Sequence, residues 1–354
     1  GTFTVEAKGE PKPTALQTAL EAAFDGAYGK GSRTTAVLVR RGEGADGLIE
    51  SARYAPGFDE NTPQRTWSVA KSLASTFVGL AVNSGEYDVN EPVKLNYWAA
   101  GGGFDPRNAI TIAHALRMAT GRYSDTAGNR TDERALFWPV IRKPGTVYRY
   151  ANNDTLLAVR AIDQFLLYYP PTEFFQKLGM KHTVTETDIR NNFVMSSQVW
   201  STASDLATLG ELYLNNGVWK GERLLPENWR DYVSNPSGPQ PEGTDWGYGA
   251  GWWTFRRPDG NAFEGVPADA FAARGRLAVA RASDGRVAGT CLVLRGGAGD
   301  ALDFYARLFE LDPTDSGVSV TTKMVVASWA RRSRLAFELA CDAYRYGLRS
   351  GIHT

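Results

Sequence analysis

The residues best suited to chemistry in this sequence are Ser68 and Lys71, a hydroxyl and an amine three positions apart in Ser68-Val69-Ala70-Lys71. If that segment opens a helix, positions i and i+3 share a face and the amine reaches the hydroxyl. The helix N-terminus then adds positive potential where an oxyanion would form. A hydroxyl is a weak nucleophile at neutral pH and needs a base beside it. A lysine serves when desolvation and nearby cations leave part of it neutral. Spacing alone decides little: 19 Ser and 10 Lys in 354 residues produce roughly 0.5 such pairs by chance. The context carries more weight. Leu73, Ala74, Phe77, Val78, Leu80 and Ala81 form an apolar helical pattern directly behind the pair, which puts an ammonium group where burial is costly without a task.

A second proton-transfer group should face the serine, and Tyr-x-Asn occurs twice. Tyr213-Leu214-Asn215 closes an amphipathic helix pattern, where the tyrosine reads as core and the asparagine as a C-cap. Tyr150-Ala151-Asn152 follows the turn Lys143-Pro144-Gly145-Thr146 and precedes a helix starting near Asn153-Asp154. A loop tip between helices suits catalysis, so Tyr150 and Asn152 are the candidates.

In this order, Trp67-Ser68-Val69-Ala70-Lys71-Ser72, Leu116-Arg117-Met118-Ala119-Thr120-Gly121, and Pro144-Gly145-Thr146 leading into Tyr150-Ala151-Asn152-Asn153 resemble the class C beta-lactamase-related serine hydrolases. These penicillin-recognising folds include D-alanyl-D-alanine carboxypeptidases, family VIII esterases and 6-aminohexanoate-dimer hydrolases. Ser196 to Ala207 resembles the segment by which such chains leave their helical part, and the likeness covers roughly residues 30–295. The resemblance implies an acylated Ser68 with Lys71 as base or proton relay. It also implies proton exchange through Tyr150, a substrate hydrogen bond from Asn152, and half of an oxyanion hole from the Ser68 backbone N–H.

One family element is altered. Neither Lys-Thr-Gly nor His-Thr-Gly occurs, and the nearest match is Phe271-Ala272-Ala273-Arg274-Gly275-Arg276. The resemblance offers Arg274 as a carboxylate ligand and the backbone near Gly275 as the rest of the oxyanion hole; a salt-bridging edge arginine is the plainer reading. Tyr123 and Trp200 flank family-like segments and are candidate substrate contacts. The expected function is hydrolysis of a small ester or amide through an acyl-enzyme. The alternatives are a non-hydrolytic penicillin-binding or sensor protein, a D-alanyl-D-alanine carboxypeptidase, or a beta-lactamase.

The elements that must position these groups follow from periodicity. Thr14–Tyr28 reads as an amphipathic helix, followed by strands at Thr35–Arg40 and Gly47–Tyr54 around a glycine-rich turn. Helical patterns dominate the middle, at Ser72–Asn83, Ile112–Ala119, Thr155–Phe165 and Ser204–Asn215. Strand character returns at Tyr248–Phe255, Leu277–Arg281 and Arg286–Leu294, with a hairpin turn at Ser283-Asp284-Gly285, before helical patterns at Ala301–Leu311 and Ala327–Leu348. This order predicts an α/β (α+β) protein, with an antiparallel sheet flanked by terminal helices plus an all-helical subdomain. Residues 1–60 and 246–354 would form the discontinuous α/β domain and 61–245 a mainly helical subdomain, with the active site between them.

Composition excludes other classes. Lys+Arg and Asp+Glu are 39 each, so no basic field points to nucleic acid. No apolar run reaches membrane-spanning length. His114, His182 and His353 lack partners at metal spacing, so neither a metal site nor a cofactor is expected, and His114 reads as helix packing. Cys291 and Cys341 read as buried free thiols. The sequence begins at Gly1, which is compatible with an upstream leader, and the resemblance favours a periplasmic or otherwise extracytoplasmic location.

Overall fold

Continuous apolar runs in this chain become buried strands, and the apolar-rich helix behind Ser68 packs into the core. The computed structural model describes residues 15–22, 24, 33–41, 48–95, 98, 105–123, 136–261, 270–273, 277–281 and 287–296. Helix α1 (Ala15–Ala22) precedes strands β1 (Arg33–Arg41) and β2 (Leu48–Tyr54). Ala36 to Val39 of β1 are all buried; Ala36 and Leu38 face the main core, as the alternation of a strand requires.

A short strand β3 (Gln64–Arg65) and a 3-10 turn, Trp67–Val69, lead into α2 (Ala70–Asn83). Every residue from Ala70 to Ala81 is buried, the polar Lys71, Ser72, Ser75 and Thr76 included. Then come α3 (Ile112–Leu116), α4 (Asn152–Ala161), α5 (Asp163–Tyr168), α6 (Pro171–Leu178), β4 (Val184–Thr185) and β5 (Val199–Ser201). The chain continues through α7 (Ala203–Leu214), β6 (Val218–Trp219), β7 (Glu222–Arg223) and α8 (Trp229–Ser234). Last are β8 (Gly247–Tyr248), β9 (Trp253–Thr254), β10 (Phe271–Ala273), β11 (Leu277–Arg281) and β12 (Val287–Gly296).

Seven strands form one antiparallel sheet in the order β2-β1-β12-β11-β10-β9-β8. Helix α7 packs against β1, β11 and β12. There Arg40 crosses from β1 to Thr208 Oγ1 at 2.7 Å, Ser204 Oγ at 3.0 Å and Glu211 Oε2 at 3.4 Å. On α2, Phe77 meets the rings of Phe174 and Phe175 from α6 edge-on, at 5.1 and 5.8 Å. No helix among the described residues is long and apolar enough to cross a membrane.

Three local expectations need correction. The run Tyr248–Phe255 is a tight hairpin, β8 and β9, rather than one strand. Gly251 takes φ +79° there, and a Cβ on Gly249 would lie 1.9 Å from the Val233 carbonyl oxygen. The helix pattern Thr155–Phe165 breaks at Ile162 (φ −112°, ψ 19°), whose side chain is wholly buried. The middle also carries strands, since β3, β5 and β4 form a small sheet of their own. The turns at 42–47 and 283–285, the two C-terminal helical patterns, Cys341 and His353 lie outside the described residues, as does the side chain of Cys291.

Candidate active site

Ser68 occupies the 3-10 turn at the mouth of α2 and is half-buried. The turn is pinned from behind by β5: Gln64 and Arg65 pair with Ser201 and Trp200, and the Thr66 N–H donates to the Val199 carbonyl at 2.8 Å. Trp67, immediately before Ser68, has φ +52°, a left-handed value that costs a residue with a Cβ about 1–2 kcal/mol.

Lys71 lies in the first turn of α2, and its side chain is only 1 % exposed. Its Nζ donates to Asn152 Oδ1 at 2.5 Å and to the Ser196 carbonyl at 2.7 Å, and stands 3.3 Å from Ser68 Oγ. A primary amine has three positions besides its carbon. Asn152 Oδ1, the Ser196 carbonyl oxygen and Ser68 Oγ all lie within its reach.

Tyr150 comes to this pair through its ring, whose centroid is 5.1 Å from Lys71 Nζ. The ring stacks on Trp253 (5.9 Å, 28°) and meets Tyr248 edge-on (6.0 Å, 87°). Tyr148 also meets Tyr248, at 5.4 Å, whereas the Arg149 guanidinium between them lies 4.1 Å from the Tyr123 ring. The segment is thus extended, with alternate side chains serving different neighbours.

Two sets of contacts fix these groups. Behind α2, Ser72 Oγ donates to the Gly251 carbonyl at 2.7 Å and Ser75 Oγ to the Ala250 carbonyl at 2.8 Å. Both carbonyls belong to the β8–β9 turn, where a Cβ on Gly251 would sit 2.8 Å from Ser75 Cβ and 2.9 Å from the Lys71 carbonyl oxygen. Beneath Tyr150 and Asn152, Arg149 N–H donates to the Met118 carbonyl at 2.8 Å. Asp154 in the first turn of α4 accepts from Thr120 Oγ1 at 2.7 Å and from Arg122 at 3.3 Å. Arg122 also donates to the carbonyls of Asn153 and Leu136. Burial pushes the Asp154 carboxyl up from its ordinary value, opposed by the Arg122 charge and the Thr120 hydrogen bonds.

The structure brings Ser68, Lys71, Tyr150 and Asn152 together. Tyr213, in the other Tyr-x-Asn, is buried core; its hydroxyl pairs with Thr76 Oγ1 at 2.9 Å, and burial pushes it up to about 12. Tyr123 sits against Arg149. Trp200 is 38 % exposed on β5, with its Nε1 donating to Glu186 Oε1 at 2.5 Å. Arg274 and Gly275 lie outside the described residues, in the three-residue segment joining β10 to β11. His114 caps α3, its Nδ1 accepting the Thr111 N–H at 3.1 Å. Among the described residues no cluster of His, Cys, Asp and Glu could hold a metal. Sequence reasoning missed the Ser196 carbonyl, a backbone acceptor that side-chain identity does not advertise, and the buried Arg122–Asp154 pair.

A family model described as Beta-lactamase matches residues 35–297, most of the chain and all of the strands and helices that carry this site. The chain belongs to the beta-lactamase family. Within it, the sequence is 26% identical over 263 residues to the 6-aminohexanoate-dimer hydrolase of Paenarthrobacter ureafaciens. That match takes in 64% of this chain and 66% of the relative, so the chain spans just under two thirds of the relative's length. Among solved structures, one described as "Putative 6-aminohexanoate-dimer hydrolase from Bacillus anthracis" superposes with a TM-score of 0.59 at 18% identity. It covers 82% of this chain and 80% of its own, and the likeness is one of fold. The family's α/β fold, with its antiparallel sheet and helical layer, is the fold expected from the sequence.

Proposed function

We propose that the protein is a serine hydrolase that cleaves a small ester or amide through an acyl-enzyme on Ser68. The observation that carries this reading is the coordination of Lys71 Nζ, with two directions occupied by Asn152 Oδ1 and the Ser196 carbonyl and the third aimed at Ser68 Oγ 3.3 Å away. In the neutral amine that third direction holds the lone pair, which takes the hydroxyl proton as Oγ attacks the carbonyl carbon. The C–N or C–O bond of the tetrahedral intermediate then breaks. The leaving amine or alcohol receives the proton by way of Tyr150, and the acyl group stays on Oγ. Water attacks the ester in the second half, releasing the acid and returning the proton to Ser68. Asn152 orients Lys71 and meets the substrate with its remaining amide group, and the Ser68 N–H supplies part of the oxyanion hole.

The amide-hydrolase relative supports linear amides as one substrate class, beside simple esters. A fluorophosphonate probe tests the nucleophile directly: Oγ bonds to phosphorus, fluoride leaves, and peptide mass spectrometry locates the adduct. Labelling at Ser68 with turnover of nitrophenyl esters or linear amides is the expected result. Labelling without turnover of any ester, linear amide, nitrocefin or D-Ala-D-Ala peptide would instead make it a penicillin-binding sensor. No adduct, with every activity intact in Ser68→Ala, removes the assignment.

A further inference from the structure

Trp67 keeps its left-handed backbone (φ +52°) although it is not glycine, and such a conformation persists only where its surroundings over-determine it. The surroundings are specific. The Arg65 guanidinium carbon lies 3.7 Å from the Trp67 ring centroid, so the side chain two residues earlier sits over the indole. Arg65 Nε also reaches the Ser197 carbonyl at 3.5 Å, next to the Ser196 carbonyl that accepts Lys71 Nζ at 2.7 Å. The Thr66 N–H is tied to Val199 on the same segment at 2.8 Å. One stretch of chain, 196–200, therefore holds both the lysine and the arginine that clamps the strained residue before the serine.

We infer that the Arg65–Trp67 stack is the device that sets the direction of Ser68 Oγ toward Lys71. This rests on the reading of Ser68 as nucleophile. At 3.3 Å the Ser68–Lys71 contact is at the long end of a hydrogen bond and has little slack. A Trp67 free to relax toward the right-handed region turns the following peptide and carries Oγ off the lysine. Arg65 and Trp67 are positioning residues here, acting through the backbone of Ser68.

The test uses the full chain and the fluorophosphonate probe, with wild type, Trp67→Gly, Trp67→Phe, Arg65→Met and Arg65→Lys. Three quantities are read: the saturating first-order labelling rate, the final stoichiometry on Ser68, and the melting temperature. Trp67→Gly and Arg65→Met should still label completely and melt within a few degrees of wild type, with the rate lowered about tenfold or more. Trp67→Phe and Arg65→Lys, which keep a ring and a cation, should recover most of that rate. A wild-type rate in Trp67→Gly and Arg65→Met overturns the inference. So does a loss of rate that merely follows lost stoichiometry and melting temperature, the mark of a structural role. If wild-type Ser68 takes no label while the protein remains active, the nucleophile reading fails first and the inference falls with it.

Discussion

Asn152 Oδ1 lies 2.5 Å from Lys71 Nζ, so the asparagine that the resemblance assigns to substrate is first of all a partner of the lysine. Replacing it with aspartate puts a negative charge at that distance and favours the ammonium over the amine. A reaction that needs the amine then requires higher pH. In Asn152→Asp the acidic limb of the kcat/KM profile should move up by about one pH unit or more. An unmoved limb would show that Lys71 is not the group titrating there.

Lys71→Arg preserves the positive charge but supplies a group that does not give up its proton at accessible pH. Ester turnover should fall about 10²–10⁴-fold, as for removal of a general base. A variant retaining near-wild-type turnover would reduce Lys71 to an electrostatic role.

Arg122 and Asp154 have side chains only 1% and 5% exposed, and each holds backbone or hydroxyl groups besides the other. Removing either alone leaves a buried charge without its partner, a loss of about 3–5 kcal/mol. Arg122→Met and Asp154→Leu should each lower the urea midpoint strongly, and the double variant should lose less than the sum. Additive losses would show that the pair is not coupled.

His114 is held below its ordinary value by burial and by the Arg117 charge, and its Nδ1 must be unprotonated to accept from Thr111. Near pH 6 the unfolded chain therefore binds more protons than the folded one, and stability rises with pH. The contribution is fully present above the unfolded value of about 6.5 and is lost as pH falls through the lower folded value. The difference in urea midpoint between wild type and His114→Ala should be larger at about pH 8 than at about pH 5. A constant difference would contradict this.

Gly251 combines φ +79° with a Cβ position 2.8 Å from Ser75 Cβ and 2.9 Å from the Lys71 carbonyl oxygen. Gly251→Ala meets both backbone strain and overpacking, together about 2–4 kcal/mol. It should lower the melting temperature and slow Ser68 labelling in the protein that remains folded. A variant that melts like wild type would mean the turn yields freely.

The clustering of the candidate site was largely legible because Ser68, Lys71, Tyr150 and Asn152 are marked by their side chains and sit at turn and helix boundaries. Helix α2 was equally plain, since Leu73, Ala74, Phe77, Val78, Leu80 and Ala81 recur at helical spacing. The Ser196 carbonyl was invisible because every residue has one. Asp154 left a faint trace, a carboxylate beside the apolar stretch Leu156-Leu157-Ala158-Val159, but its pairing with Arg122 across 32 positions has no local signature. The β8–β9 hairpin was misread because Tyr248, Trp252 and Trp253 carry strand propensity, while the glycines among them impose the turn.

Ser72 finds its acceptor, the Gly251 carbonyl, 179 residues further along the chain. During synthesis the ribosome therefore makes Ser68 and Lys71 well before the strap behind their helix, which follows 179 residues after Ser72. Such long-range closure is slow to form. A nascent or truncated chain ending before the β8–β9 turn carries the serine without the seat for its helix, so the proposed nucleophile is made before it can be armed.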